Sequence, residues 1–139
     1  MLRFIMASHE RMAQGLRHSL QFLTNTTEKL YDISAYTEGD SRQLEDVVRE
    51  LFTSFHKDDT VIIMTDMLAG SVNQKFVPYL NDHVHAVTGI NVPLALALIM
   101  TSEEDFSSDL IKGLIEEGRH SMLYVNDWLK EQETGEDDE

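Results

Sequence analysis

The chain has 139 residues, a length that fits one domain, and its apolar content of 42% is sufficient for a buried core. Eleven lysines and arginines against 25 aspartates and glutamates give a formal net charge of −14, which argues against nucleic acid and anionic lipid as direct partners. The absence of cysteine excludes a disulfide scaffold, a thiolate nucleophile and a cysteine-ligated zinc ion.

No segment is apolar over the length that a membrane span or a signal peptide requires. The longest apolar run, Ile90 to Met100, contains Asn91 and Pro93. It is shorter than the roughly 20 residues that cross a bilayer. Charged residues interrupt the apolar N-terminal segment too early for a signal-peptide core. We therefore expect a cytoplasmic protein.

The first third of the chain alternates between strand and helix spacing. Leu2 to Ala7 is a short apolar run of strand length. Apolar residues then recur at positions 12, 16, 20 and 23, which is the spacing of a helix face. Tyr31 to Tyr36 alternates as a strand does, so a second strand is predicted there.

The middle of the chain repeats this order of elements. Asp40 and Gln43 resemble a capping box at the start of an amphipathic helix whose apolar positions fall within 44–55. Val61 to Thr65 is a continuous apolar run, typical of a strand buried on both faces. A helix is then predicted over Val72 to Leu80.

The last third contains one more strand and a segment of ambiguous type. A strand is predicted at Val84 to Val87, a helix over Leu94 to Met100 with Pro93 in its first turn, and another helix around 110–115. Ser121 to Leu129 fits a strand and a helix equally. Because it is too apolar to remain in solvent, it covers either the chain's own sheet edge or a second chain.

Strand-then-helix units in succession predict an α/β fold, with a doubly wound, mainly parallel sheet, helices on both faces and the strand order 2-1-3-4. We assign residues 1–130 to this domain. Residues 131–139 contain six acidic residues and no basic one, so they are predicted to form a disordered acidic tail.

The strand order also predicts where chemistry would occur. Ligands bind at the carboxyl ends of parallel strands, where the order reverses, here between the first and third strands. His9 follows the first strand, and Asp66 follows the third. A carboxylate that holds one imidazole nitrogen leaves the other as a nucleophile. Gly70 and Ser71 add hydrogen-bond donors for an anion, so a phosphorylated His9 is predicted.

Simpler interpretations of the same residues remain open at this point. A histidine after a strand is often an exposed loop residue, and an aspartate before a glycine is often only part of a turn. His83 and His85 would share one face of a strand, but no third metal ligand is identifiable. No nucleotide-binding or hydrolase motif occurs in the chain.

Three motifs resemble the IIA component of the mannose/fructose/sorbose-type sugar phosphotransferase system (PTS). FIMASHERMAQGL resembles the family's strand, histidine and helix; TDMLAGSVNQKF resembles its Asp-x-x-Gly-Gly-Ser turn; and GINVPLALALI resembles the stretch after its fourth strand. The similarity runs from about residue 2 to about residue 125. Glu10 departs from the family, which usually has glycine there, and Ala69 replaces the first glycine of the pair.

This resemblance implies a phosphoryl relay without a cofactor or a metal ion. His9 would accept the group from the phosphocarrier HPr and pass it to a IIB component, which phosphorylates the sugar at a membrane permease. Asp66 would orient the imidazole, and Ser71 would contact the phosphate. The family forms homodimers in which the last strand joins the partner's sheet, which would bury Met122 to Leu129.

Two related functions fit the same resemblance, namely the phosphotransfer subunit of a PTS-dependent dihydroxyacetone kinase and a regulatory phosphoacceptor. A more remote alternative comes from the residues alone, because Ser71, His9 and Asp66 are the three types of a serine hydrolase triad. Ser71 lies on no nucleophile elbow, which argues against it.

Overall fold

The computed structural model of the chain describes residues 1–26, 29–37 and 43–137. Within them, one sheet consists of the strands β1 (Leu2–His9), β2 (Leu30–Ala35), β3 (Thr60–Thr65) and β4 (Val84–Thr88). All neighbouring strands are parallel, and their order is β2-β1-β3-β4. The predicted α/β fold and the predicted strand order are confirmed.

Six helices occur in the described part of the chain: α1 (Met12–Thr24), α2 (Leu44–Thr53), α3 (Ser71–Gln74), α4 (Val92–Ile99), α5 (Ser108–His120) and α6 (Val125–Asp137). The helix predicted over Val72 to Leu80 is wrong in length. It ends at Gln74, and a separate 3-10 turn follows over Val77–Tyr79. Pro78 lies in this turn, and proline cannot donate the backbone hydrogen bond that a continuous helix needs. Asp40 of the predicted capping box lies outside the described residues.

The two central strands are buried on both faces, as the apolar run in β3 predicts. Successive side chains of a strand point to opposite faces. Met6 and Ile62 therefore belong to the core beneath α1 and α4, whereas Ile5 and Ile63 belong to the core beneath α2. All four side chains are completely buried. Burial of each contributes about 1.5–3 kcal/mol to folding.

The start of α4 is joined to the end of α5 by one side chain. Asn91 Oδ1 accepts a hydrogen bond from the Leu94 N–H at 2.9 Å, and Asn91 Nδ2 donates to the Gly118 carbonyl at 2.9 Å. A β-carbon on Gly118 would lie 3.0 Å from Leu94 Cβ, so the missing side chain allows the two helices to approach closely. Asn91 of the GINVPLALALI motif therefore has a structural role in this chain.

The C-terminal segment is helical rather than extended. Ser121 to Tyr124 have no strand, and α6 begins at Val125. The helix continues to Asp137, because residues 130–133 are strong helix formers. The disordered tail predicted from residue 131 therefore differs from the structure as far as Asp137. Asp138 and Glu139 lie outside the described residues. Among the described helices, none is both long and apolar enough to cross a bilayer.

Candidate functional site

His9 and Asp66 meet at the carboxyl edge of the sheet because their strands are neighbours. His9 is the last residue of β1, and Asp66 directly follows β3. The register pairs Ala7 with Thr65, so the two loops leave the sheet side by side. The structure thus brings these two predicted site residues together at the point where the strand order reverses.

The Asp66 carboxylate fixes the orientation of the His9 ring. Asp66 Oδ2 lies 2.9 Å from His9 Nδ1, and the same oxygen accepts a hydrogen bond from the His9 backbone N–H at 2.9 Å. Asp66 Oδ1 accepts from the Met67 N–H at 3.0 Å. Because a carboxylate only accepts, we assign the ring proton to Nδ1 and the lone pair to Nε2.

The environment keeps Asp66 ionised. Burial raises the pKa of its carboxyl group, but hydrogen bonds from the His9 backbone and the His9 ring outweigh this effect and hold the pKa below its ordinary value. The Asp66 side chain is 12% exposed, whereas that of His9 is 35% exposed. The carboxylate is thus shielded, and the imidazole remains accessible.

Gly70 packs against the side of the His9 ring that carries the lone pair. Its φ of +133° is a conformation that residues with a side chain rarely adopt, and a β-carbon would lie 2.9 Å from His9 Cε1 and 3.0 Å from Nε2. Glycine is therefore strongly favoured at this position. Ala69, which replaces the first glycine of the family's pair, is not among the positive-φ residues.

Ser71 opens a helix much shorter than predicted. A helix does begin at Ser71, but because α3 has only four residues, its dipole adds less to the binding of an anion than that of the longer predicted helix would. The groups that remain for a phosphate are the Ser71 hydroxyl and the backbone around Gly70.

Glu10 adopts the backbone conformation that the family's glycine supplies more easily. Its φ is +53°, in the left-handed region, and its N–H donates to the Ala35 carbonyl at 2.8 Å. Its side chain is exposed. Glu10 thus occupies a left-handed backbone position that a glycine would adopt with less strain.

Tyr36 is a residue of this site that sequence reasoning missed. Its ring stacks on the His9 imidazole, with centroids 5.8 Å apart and planes at 28°. Its hydroxyl forms a hydrogen bond with Ser71 Oγ. The predicted strand order offered only part of a signal, because it places the end of β2, which Tyr36 follows, next to the end of β1.

This arrangement does not favour a serine hydrolase. A nucleophilic serine needs a hydrogen bond to its general base. Here the hydroxyl of Ser71 has Tyr36 as its partner, rather than Nε2 of His9.

His83 and His85 lie away from His9. His85 is within β4, and His83 precedes that strand, at the opposite end of the sheet. In the described ranges, no three side chains of histidine, aspartate or glutamate come together in a way that could hold a metal ion.

Comparison with known families shows one match that covers most of the chain. The family described as PTS system fructose IIA component matches residues 3–115, a range that includes His9, Asp66 and Ser71. No curated protein sequence matched the chain.

Several solved structures share the fold. A protein from Klebsiella pneumoniae subsp. pneumoniae MGH 78578, described as a candidate phosphoenolpyruvate-dependent sugar PTS permease, is 32% identical, with a TM-score of 0.83 over 92% of this chain and 93% of that chain. The PTS IIA protein associated with the fucose utilization operon of Streptococcus pneumoniae is 22% identical, with a TM-score of 0.79 over 92% and 96%. The phosphotransferase system component EIIA of Streptococcus agalactiae is 17% identical, with a TM-score of 0.70 over 91% and 98%.

Proposed function

The chain belongs to the family of PTS fructose IIA components, and from this premise we propose that it relays a phosphoryl group from the phosphocarrier HPr to a IIB component through His9. One observation carries the assignment to His9. Its Nδ1 is held by Asp66 at 2.9 Å, while the side chain is 35% exposed and Nε2 lies beside Gly70, which has no β-carbon to cover it.

The chemistry needs only positioning and charge stabilisation. The Nε2 lone pair of His9 attacks the phosphorus of phosphohistidine on HPr, a new P–N bond forms, and the donor's P–N bond breaks with its electron pair returning to the donor imidazole. The proton on Nδ1 stays in place. The negative charge of Asp66 stabilises the positive charge that the ring gains during transfer. The same steps, reversed, deliver the group to the IIB component.

The Ser71 hydroxyl supports this proposal as a donor to the phosphoryl oxygens. Glu10 is unfavourable for phosphorylation of His9, because its carboxylate would repel the negatively charged phosphoryl group. Its exposed side chain can point into solvent, which limits that repulsion.

The proposal extends to location and assembly. A relay between HPr and a IIB component works in the cytoplasm and reaches the membrane only through the permease.

We further propose that the protein forms a homodimer. This proposal is supported by an exposed apolar patch around the start of α6. The patch consists of Met122, Leu123, Tyr124, Val125, Trp128 and Leu129.

A phosphorylation assay tests the assignment. Enzyme I, HPr and labelled phosphoenolpyruvate are incubated with the wild type, with His9→Ala and with the control His56→Ala. His56 is a suitable control because it lies beside Asp58, at 3.6 Å, yet is 67% exposed and outside the site.

We expect acid-labile, base-stable label on the wild type and on the control, and none on His9→Ala. Loss of the label on addition of a IIB component would support a relay over a purely regulatory acceptor. An unlabelled wild type, or a labelled His9→Ala variant, would contradict the proposal.

A further inference from the structure

We propose that Tyr36 is a positioning residue for phosphoryl transfer, which acts on two side chains of the site, His9 and Ser71. Its ring fixes the plane of the His9 imidazole, and its hydroxyl fixes Ser71 as a donor to the phosphoryl group. This inference rests on the proposed function of His9.

The stack with Tyr36 restricts the plane of the His9 ring. The contact between Asp66 and Nδ1 fixes one atom of the imidazole, but a single hydrogen bond leaves the ring free to tilt about that contact. The stacked ring of Tyr36, 5.8 Å away and 28° from parallel, restricts this tilt. The lone pair of Nε2 is thereby held in one direction, which an in-line displacement requires.

The contact with Tyr36 also sets the direction of the Ser71 hydroxyl. A serine hydroxyl rotates freely, and it both donates and accepts. Either hydroxyl can donate in this contact. The proposal requires the arrangement in which the Tyr36 O–H donates to Ser71 Oγ, because the proton of Ser71 then points elsewhere. It is then available to an oxygen of a phosphoryl group on His9, so the two hydroxyls form a directed chain.

The placement of Tyr36 is not explained by core packing. The side chain is 58% exposed. Its φ is +63°, a conformation that is unfavourable for residues other than glycine. Unfavourable backbone conformations concentrate at functional sites. The stack on His9 and the contact with Ser71 are the interactions that this conformation makes possible.

A double-mutant cycle tests the hydroxyl. Rates of phosphorylation by phospho-HPr are measured for Tyr36→Phe, Ser71→Ala and the double variant. Because Tyr36→Phe keeps the ring and removes one hydrogen bond, we expect about a fivefold slower rate. Since Tyr36 acts through Ser71, the double variant should be no slower than Ser71→Ala alone.

The control is Tyr79→Phe, because Tyr79 stacks on Phe52 rather than on a histidine. It should react at the wild-type rate. A wild-type rate for Tyr36→Phe, or additive effects in the double variant, would overturn the role of the hydroxyl.

The ring is tested in the unphosphorylated protein by NMR. The ring-current shift of the His9 protons should persist in Tyr36→Phe and disappear in Tyr36→Leu, while the His56 resonances stay unchanged. Unchanged His9 resonances in Tyr36→Leu would overturn the stacking role. If the wild type takes no phosphate, the proposed function fails; if it does and Tyr36→Phe matches it, only this inference fails.

Discussion

The two ring nitrogens of His9 have different neighbours and therefore different roles. Nδ1 donates to a shielded carboxylate, which keeps the proton on that side of the ring. The opposite side faces the backbone of Gly70, which has no side chain to obstruct an incoming group. In the proposed relay, one hydrogen bond to Nδ1 and one missing β-carbon beside the ring thus leave Nε2 as the nucleophile.

Gly70→Ala tests the second of these features. The new β-carbon would come within 3 Å of the ring and would strain a backbone at φ +133°. We expect phosphorylation to slow by about tenfold or more, and the protein to lose about 1–3 kcal/mol of stability. Phosphorylation kinetics and denaturant unfolding measure the two effects.

Gly15→Ala is the matched control, since Gly15 lies in α1 with nothing within 4 Å of an added β-carbon. It should react at the wild-type rate and gain about 0.5–1 kcal/mol of stability. Equal rates for Gly70→Ala and Gly15→Ala would show that the glycine beside His9 is dispensable.

The pairing of His9 with Asp66 could be predicted because it depends only on strand order. Both residues end neighbouring strands, and no side-chain detail is needed to bring them together. The contacts of Tyr36 could not be predicted in the same way. They depend on a left-handed φ at one residue, which periodicity does not reveal.

At the scale of elements, a buried carboxylate links the starts of β1 and β3. Asp59 Oδ2 accepts a hydrogen bond from Arg3 Nε at 2.7 Å and from the His56 N–H at 2.8 Å. Burial raises the pKa of Asp59, but these hydrogen bonds and the amino group of Met1 outweigh it and lower the pKa to about 2.

The shift in the pKa of Asp59 predicts loss of stability in acid. An unfolded aspartate has a pKa of about 3.9, so the unfolded chain binds a proton that the folded protein does not. The contribution is therefore complete above about pH 4 and is lost as the pH falls toward the folded pKa of about 2.

We expect Asp59→Asn to be about 1–3 kcal/mol less stable than the wild type at pH 7 and to show a shallower decline in acid. Asp58→Asn, at an exposed neighbour, should change stability by less than about 0.5 kcal/mol. Denaturant unfolding at several pH values measures this. A variant at Asp59 with wild-type stability and the wild-type acid slope would refute the role of this carboxylate.

The elements that could be predicted are those with long, unambiguous periodicity. The strand order and the helices α1 and α2 follow from such patterns. For α3 the apolar spacing predicts too long a helix, because the spacing continues across Pro78. For α6 the acidic composition beyond residue 130 predicts disorder, although glutamate, glutamine and lysine favour helix.

At the scale of the whole molecule, the net charge of −14 would have opposite effects on a basic partner and on a phosphoryl group. An acidic body attracts a basic partner over long distances. In the proposed relay, the same acidic body repels the phosphoryl group that the partner carries, so local donors such as Ser71 would have to stabilise that group. Six of the acidic residues lie in 131–139, mostly on α6.

The apolar patch at the start of α6 predicts self-association. Trp128 and Leu129 are 43% and 50% exposed in the single chain, and a second copy would cover them. We expect sedimentation equilibrium at micromolar concentration to give the mass of two chains. Trp128→Glu should shift the mass toward one chain, and a single-chain mass for the wild type would disprove the homodimer.

In the proposed relay, Nε2 of His9 carries the phosphoryl group while Nδ1 keeps its proton. NMR of the ¹⁵N-labelled protein, phosphorylated by HPr, measures this directly through the coupling of phosphorus to a ring nitrogen. We predict coupling to Nε2 of His9, with Nδ1 still protonated and hydrogen-bonded to Asp66. Phosphorus coupled to Nδ1, or to any residue other than His9, would contradict it.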